Sequence, residues 1–289
     1  MNLFPLTNDL VFKSVFCSDT NLLISLLNSI LFTEASQMIQ EICIMNPEIP
    51  TAFSKDKRSV LDIRAVDRKG RQFQVEVQVG YQGVYIKRAL YYISGLIRDQ
   101  LKEKGRYSDL KAVYQVNILN FELLPGTHYI NRFKFREERN PELTLTEELE
   151  IVFLELPKFQ KKDIVKGENI LDLWMHLLKN IDKMEESEVA QVVDQAPDLA
   201  NAFKILEYYS SNPAERKRIE DRIKSDRDYA YDLASNYERG ERKGKLEGKQ
   251  EGKLEDARLM KLKGYPISDI LEITKLTEDQ LRENGILDS

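Results

Sequence analysis

Histidine is almost missing from this 289-residue chain, which carries only His128 and His176. Triads that need a histidine base, and zinc sites built from Cys/His clusters, are poorly supported by so few ligands. Cysteine is as scarce. Cys17 and Cys43 show no CxxC spacing, and two such thiols suit a reducing compartment. No apolar run reaches 18 residues and the N-terminus lacks a basic-then-apolar leader, so a cytoplasmic setting without a membrane partner is expected. Neither GxGxxG nor GxxxxGK(S/T) occurs, which removes the common phosphate-cradling loops. An excess of positive charge is also lacking. With 43 Lys and Arg against 48 Asp and Glu the net charge is −5, which argues against nonspecific coating of nucleic acid. Chemistry in such a chain falls to carboxylates.

What is present divides into three regions. Residues 1–160 mix helix and strand. A helix starts with Thr7 or Asn8 as its N-cap and runs through Asp9, Phe12, Lys13 and Phe16, and a second covers about 22–31. A hairpin occupies 60–79. A further helix spans about 84–104, where Ile86, Leu90, Ile93 and Ile97 recur at helical spacing, and strand-like runs follow at 112–121, 129–135 and 149–156. Residues 161–238 read as wholly helical, with core stripes at Trp174, Leu177 and Leu178 and at Ala202, Ile205 and Leu206. In the third region, 239–289, Gly240, Gly244, Gly248 and Gly252 repeat every four residues along a charged helix. Two short helices end the chain, with Ser268 and Thr277 as N-caps and Thr277/Gln280 as a capping box.

The hairpin carries the first chemical signal. Its turn, Asp67-Arg68-Lys69-Gly70, suits a type I turn closed by a glycine bulge. That turn pairs Asp67 with Arg71, and the register then sets Leu61 against Val77, Ile63 against Val75 and Ala65 against Phe73. A plain two-residue turn would oppose Leu61 to Glu76 and spoil the apolar face, so the pattern selects the bulged register. In it Asp62 faces Glu76 with Cβ atoms about 5 Å apart. Two carboxylates so placed repel by about 3 kcal/mol at an effective dielectric near 20. Either the polar face is solvated, with Arg64 as counter-ion, or the pair shares a proton or holds a divalent cation. Magnesium takes one or two carboxylates together with waters and phosphate oxygens.

Asp62, followed by Glu76-Val77-Gln78 on the next strand, resembles the core of the PD-(D/E)XK nuclease superfamily, and more closely its recombination-promoting nuclease and transposase (Rpn) branch. TNDLVFKSVF at 7–16, KRALYYISGLIRDQ at 87–100 and EELEIVFLELPKF at 147–159 match that branch in order, so the resemblance covers residues 1–160 well. It implies an α/β fold, a restriction-endonuclease-like mixed sheet flanked by helices, followed by an all-helical C-terminal region. It further implies metal-dependent cleavage of DNA phosphodiesters, with Mg²⁺ or Mn²⁺ as cofactor and a link to recombination and mobile elements. Carried over by position, Asp62, Glu76 and the Val77 carbonyl ligate the metal, and Gln78 stands where most of the superfamily has lysine. Asp9 is the candidate for an additional acidic residue, or else a helix-capping group. Lys13 is either the ion-pair partner of Asp9 or a DNA phosphate contact. Arg88 is either a phosphate contact or a surface cation packed on Tyr92.

Two readings from different classes follow. One is a metal-dependent endonuclease. The other is a catalytically inactive nuclease fold that binds DNA or itself through the C-terminal helix. In that helix Lys245, Lys249 and Lys253 stack at i,i+4, as do Glu247, Glu251 and Glu255, a pattern that destabilises a lone helix but lets each stripe face the opposite one in a second copy. The alternative for this stretch is a soluble, partly helical linker; with self-association through roughly 228–263 the expected partners are DNA and a further copy of the chain.

Overall fold

The computed structural model describes residues 3–46, 63–80, 83–101, 105–161, 163–164 and 167–287, excepting the side chains at 226, 229, 230 and 233. The chain divides into two compact units, Met1–Lys224 and Ser225–Ser289.

The first unit opens with helices α1 (Asp9–Ser18) and α2 (Thr20–Leu31). Asn8 is the N-cap of α1, its side chain accepting the Val11 N–H at 3.1 Å, and Asp19 caps α2 through Asn21. A six-stranded sheet follows: β1 (Ile42–Ile44), β2 (Ile63–Asp67), β3 (Gln72–Gln78), β4 (Val113–Leu119), β5 (Ile130–Lys134) and β6 (Leu149–Glu155). Its order is β1-β2-β3-β4-β6-β5. The β3/β4 and β4/β6 pairs are parallel and the others antiparallel, so the sheet is mixed. Helix α3 (Tyr85–Asp99) makes the β3-to-β4 crossover that parallel neighbours require.

The β2/β3 hairpin has the register that its apolar pattern selects. Ile63 pairs with Val75, Arg64 with Gln74 and Ala65 with Phe73. Asp67 N–H reaches the Arg71 carbonyl at 3.1 Å, and Gly70 takes φ +78°, the left-handed conformation that closes the turn. The Asp67 side chain fixes the same turn by accepting the Lys69 and Arg71 N–H groups at 2.9 Å each.

Strand alternation gives the sheet two buried faces. Phe73, Val75 and Val77, with Val116, Ile118, Val152 and Leu154, join one core with α1, α2 and the helices after the sheet. These are α4 (Ile170–Asn180), α5 (Glu186–Gln195) and α6 (Ala200–Ser211). Trp174, the largest fully buried side chain, packs on Phe16 with ring centroids 5.5 Å apart and donates to Ser25 Oγ at 3.1 Å. Leu177, Leu178, Ala202 and Leu206 are buried as their stripes predict. The helices after 160 thus share the core of the sheet, and the compact unit ends at 224 rather than at 160.

The opposite face meets α3. Here the helical spacing at 86, 90, 93 and 97 needs correction: α3 buries Tyr85, Ala89, Ile93 and Leu96 and leaves Ile86 and Leu90 exposed. Periodicity fixes a helix but leaves its rotation open by one residue when neighbouring columns are both apolar. The observed rotation turns the Tyr85 hydroxyl onto the sheet.

Helix α7 (Pro213–Leu262) is 50 residues long and runs from the first unit into the second. In the second unit, α8 (Ile267–Thr274) and α9 (Glu278–Glu283) pack a small core of Ala257, Ile270, Leu276, Leu281 and Ile286. Thr277 caps α9 in a capping box with Gln280. Ser268 does not cap α8. That helix starts two residues earlier than such a cap requires, at Ile267 with Pro266 in the cap position, and the Ser268 hydroxyl turns to Asp269 Oδ1 at 3.0 Å. Among the described residues no single helix is long and apolar enough to cross a membrane.

Candidate active site

The polar face of β3 is not a solvated one. Gln74 is fully buried and Glu76 is 4% exposed, both under α3. A carboxylate at such a depth demands partners. Glu76 Oε1 accepts from Gln74 Nε2 at 2.9 Å. Its Oε2 lies 3.4 Å from the Tyr85 hydroxyl and 3.7 Å from Arg88 Nη2. Both residues come from the first turn of α3, three apart and therefore on one side of it. The Arg88 guanidinium also sits 4.8 Å from the centre of the Tyr85 ring, a cation–π contact, so it packs on Tyr85 and not on Tyr92.

Strand β4 extends the polar patch. The parallel register sets Gln115 beside Gln74 and Asn117 beside Glu76. Asn117 Oδ1 receives the Tyr85 hydroxyl at 2.9 Å and Gln115 Nε2 at 3.3 Å, while Asn117 Nδ2 donates to the Val152 carbonyl at 3.1 Å. Gln115 Oε1 is buried with no hydrogen-bond partner among the described residues. Burial first, and the Glu76 charge second, push the Tyr85 pKa up against the opposing pull of Arg88, so the phenol keeps its proton at any working pH.

The residues singled out in the sequence are placed as follows. Asp62 lies outside the described residues. Val77 is buried on the opposite side of β3 from Glu76. Gln78 ends the strand half-buried, and its carbonyl accepts the Asn120 N–H of the β4 side at 2.9 Å. Carbonyl direction alternates along a strand, so the Val77 carbonyl points to the β2 side. Asp9 stands in the first turn of α1 and forms an ion pair with Arg222 of α7. Lys13 is fully buried on the same helix, whereas a phosphate contact needs an ammonium open to solvent. Glu76 and Arg88 are brought together.

Sequence reading missed Tyr85, Gln115, Asn117 and Arg222. The β4 pair had a signal, since VYQVNIL alternates polar and apolar in the same way as QFQVEVQ on β3. Tyr85 had none, because the helical periodicity pointed to the neighbouring column. Arg222 had none either, being 213 positions from Asp9.

A family model described as "PD-(D/E)XK nuclease family transposase" matches residues 6–236. The chain belongs to this family. No curated protein and no solved structure matches it significantly. The mixed sheet with flanking helices fits a PD-(D/E)XK fold, and membership in the nuclease family transposases supports a nuclease- or transposase-linked role. The match takes in the whole sheet, α1 to α6 and the start of α7, and so covers both Glu76 and the Asp9–Arg222 pair.

Proposed function

We propose that this family member is a Mg²⁺- or Mn²⁺-dependent DNA endonuclease linked to recombination, with its metal held by Asp62, Glu76 and the Val77 carbonyl. The observation that carries the reading is the β2/β3 register, in which Ile63 pairs with Val75 and Arg64 with Gln74. Carried one residue further along the sequence, beyond the described residues, that register would set Asp62 against Glu76. The donor set proposed suits a hard cation: the buried Glu76 carboxylate, the Val77 main-chain carbonyl turned toward the neighbouring strand and, from the sequence register, the Asp62 carboxylate. No group of three or more His, Cys, Asp or Glu residues able to hold a metal occurs among the described residues, and magnesium, which keeps waters and substrate oxygens in its shell, does not require one. A bound cation there supplies a water of lowered pKa and stabilises charge on the phosphate.

The chain's own residues do the positioning. Gln74 holds one oxygen of Glu76, and Tyr85 and Arg88 flank the other. Gln78, which cannot accept a proton as a neutral lysine can, orients the attacking water by hydrogen bonding. Arg88, whose Nη2 lies 3.7 Å from Glu76 Oε2, is the candidate for steadying the scissile phosphate. Asp9 is held by Arg222 of α7, and Lys13 is buried on the same first helix. The chain also self-associates through the charged part of α7.

Plasmid nicking by the purified protein in Mg²⁺, Mn²⁺ and Ca²⁺ tests the reading. Cleavage in the first two, abolished by Asp62→Ala with thermal stability unchanged or slightly raised, is the expected outcome. Nicking that persists in Asp62→Ala removes the metal assignment. If DNA is bound but never cut under any cation, the chain is an inactive nuclease fold acting as an interaction module.

A further inference from the structure

The second compact unit exposes more apolar surface than its small core explains. Leu246, Leu259 and Leu262 on α7, Tyr265 in the following turn, and Ile267 and Ile273 on α8 all stand open to solvent, Leu262 at 84% and Ile273 at 64%. The core of the unit buries only Ala257, Ile270, Leu276, Leu281 and Ile286. A set of exposed apolar side chains of this size on so small a unit marks an interaction surface.

Charge identifies what covers it. Residues 239–263, the last part of α7 and the residue after it, hold nine basic and five acidic side chains, net +4. Residues 265–289, which contain α8 and α9, hold two basic and six acidic ones, net −4. The unit is therefore a basic stem with an acidic end. Nucleic acid would be drawn to the stem and repelled from the end that carries Ile267 and Ile273. A second copy meets both requirements, provided that it runs the opposite way. Side by side in parallel, two acidic ends would oppose each other and so would two basic stems. Antiparallel, each acidic end meets a basic stem.

We propose that two copies of the chain associate antiparallel through residues 239–287, the acidic α8–α9 end of each lying on the basic stretch of α7 in the other. This rests on the self-association proposed for α7 and adds its direction. Leu259 and Leu262, three residues apart on one side of α7, and the α8 isoleucines meet the start of the partner's stem.

Spin labels measure the direction in the full-length chain. In a Cys17→Ser, Cys43→Ser background, one cysteine is introduced at a time as Lys243→Cys, Glu251→Cys or Lys263→Cys, and inter-copy distances are read by pulsed electron resonance beside the mass from light scattering. If the stems cross near Glu251, the axial separations at 243 and 263 are roughly 24 Å and 36 Å at a rise of 1.5 Å per residue, with the shortest distance at 251. A dimer with that pattern, weakened by raising salt, is the expected result. A dimer with three similar short distances means parallel stems and overturns the direction while leaving self-association in place. A monomer mass with no inter-copy distance overturns both.

Discussion

Burying the Glu76 carboxylate costs free energy that its neighbours must offset, and the offset is spread over Gln74, Tyr85 and Arg88. The Tyr85 hydroxyl is the member whose loss is cleanest to measure, since phenylalanine keeps the ring beneath Arg88 and against Phe121 and Phe153. Tyr85→Phe leaves Asn117 Oδ1 with Gln115 alone and removes the hydroxyl beside Glu76. It should destabilise the protein by about 1–2 kcal/mol, seen as a lower urea midpoint at unchanged slope. If Glu76 is the metal ligand, nicking should slow more than that loss of folded protein accounts for. Gln78 offers the complementary test. Half-buried at the end of β3, it has room for a longer side chain to reach water, so Gln78→Lys should fold normally and preserve or raise cleavage. An aggregated or unfolded lysine variant would show the position to be sealed by packing. At this scale the sequence disclosed the carboxylate and its strand but not its surroundings. Alternation along QFQVEVQ says that the polar residues share a face, and it is silent on whether water or a helix covers that face.

Among the elements, the hairpin was legible because two independent constraints agree: a turn with Asp first and Gly fourth, and an apolar face that only one register preserves. The rotation of α3 and the docking of α7 were not, because each depends on surfaces remote in sequence. The Asp9–Arg222 pair is the clearest such case. It ties the first turn of α1 to the start of α7, with the arginine side chain 9% and the aspartate 22% exposed. Partial exposure places its worth between that of a surface pair and a sealed one, about 1–2 kcal/mol of coupling. A double-mutant cycle over Asp9→Asn and Arg222→Gln, read by chemical unfolding, should return that coupling. A value near zero would mean that the two residues are neighbours without mutual stabilisation, and would return Asp9 to the pool of groups free to act in catalysis.

For the whole molecule, the division that matters lies inside one helix. The first compact unit ends at Lys224, the family match ends at 236, and the same helix continues to Leu262 with almost every side chain exposed beyond that point. Its four glycines were visible in the sequence as a repeat. The structure adds that a Cβ at Gly240, Gly244, Gly248 or Gly252 would meet nothing within 4 Å, so this chain's own packing does not demand them. Each costs the helix about 1 kcal/mol relative to alanine. Among the described residues the ion pair along this stretch, Lys243 with Glu247 at 3.6 Å, is an exposed contact between successive turns of the same helix and offsets little of that cost. Between copies, glycine lets two backbones come close. Ending the chain after Asn236 keeps the sheet, both of its faces and the Asp9–Arg222 pair, and removes the repeat and the acidic end together. The shortened protein should therefore unfold in a single cooperative transition and scatter light as a monomer. An oligomer mass that survives the truncation would move self-association out of the helix and onto the nuclease unit.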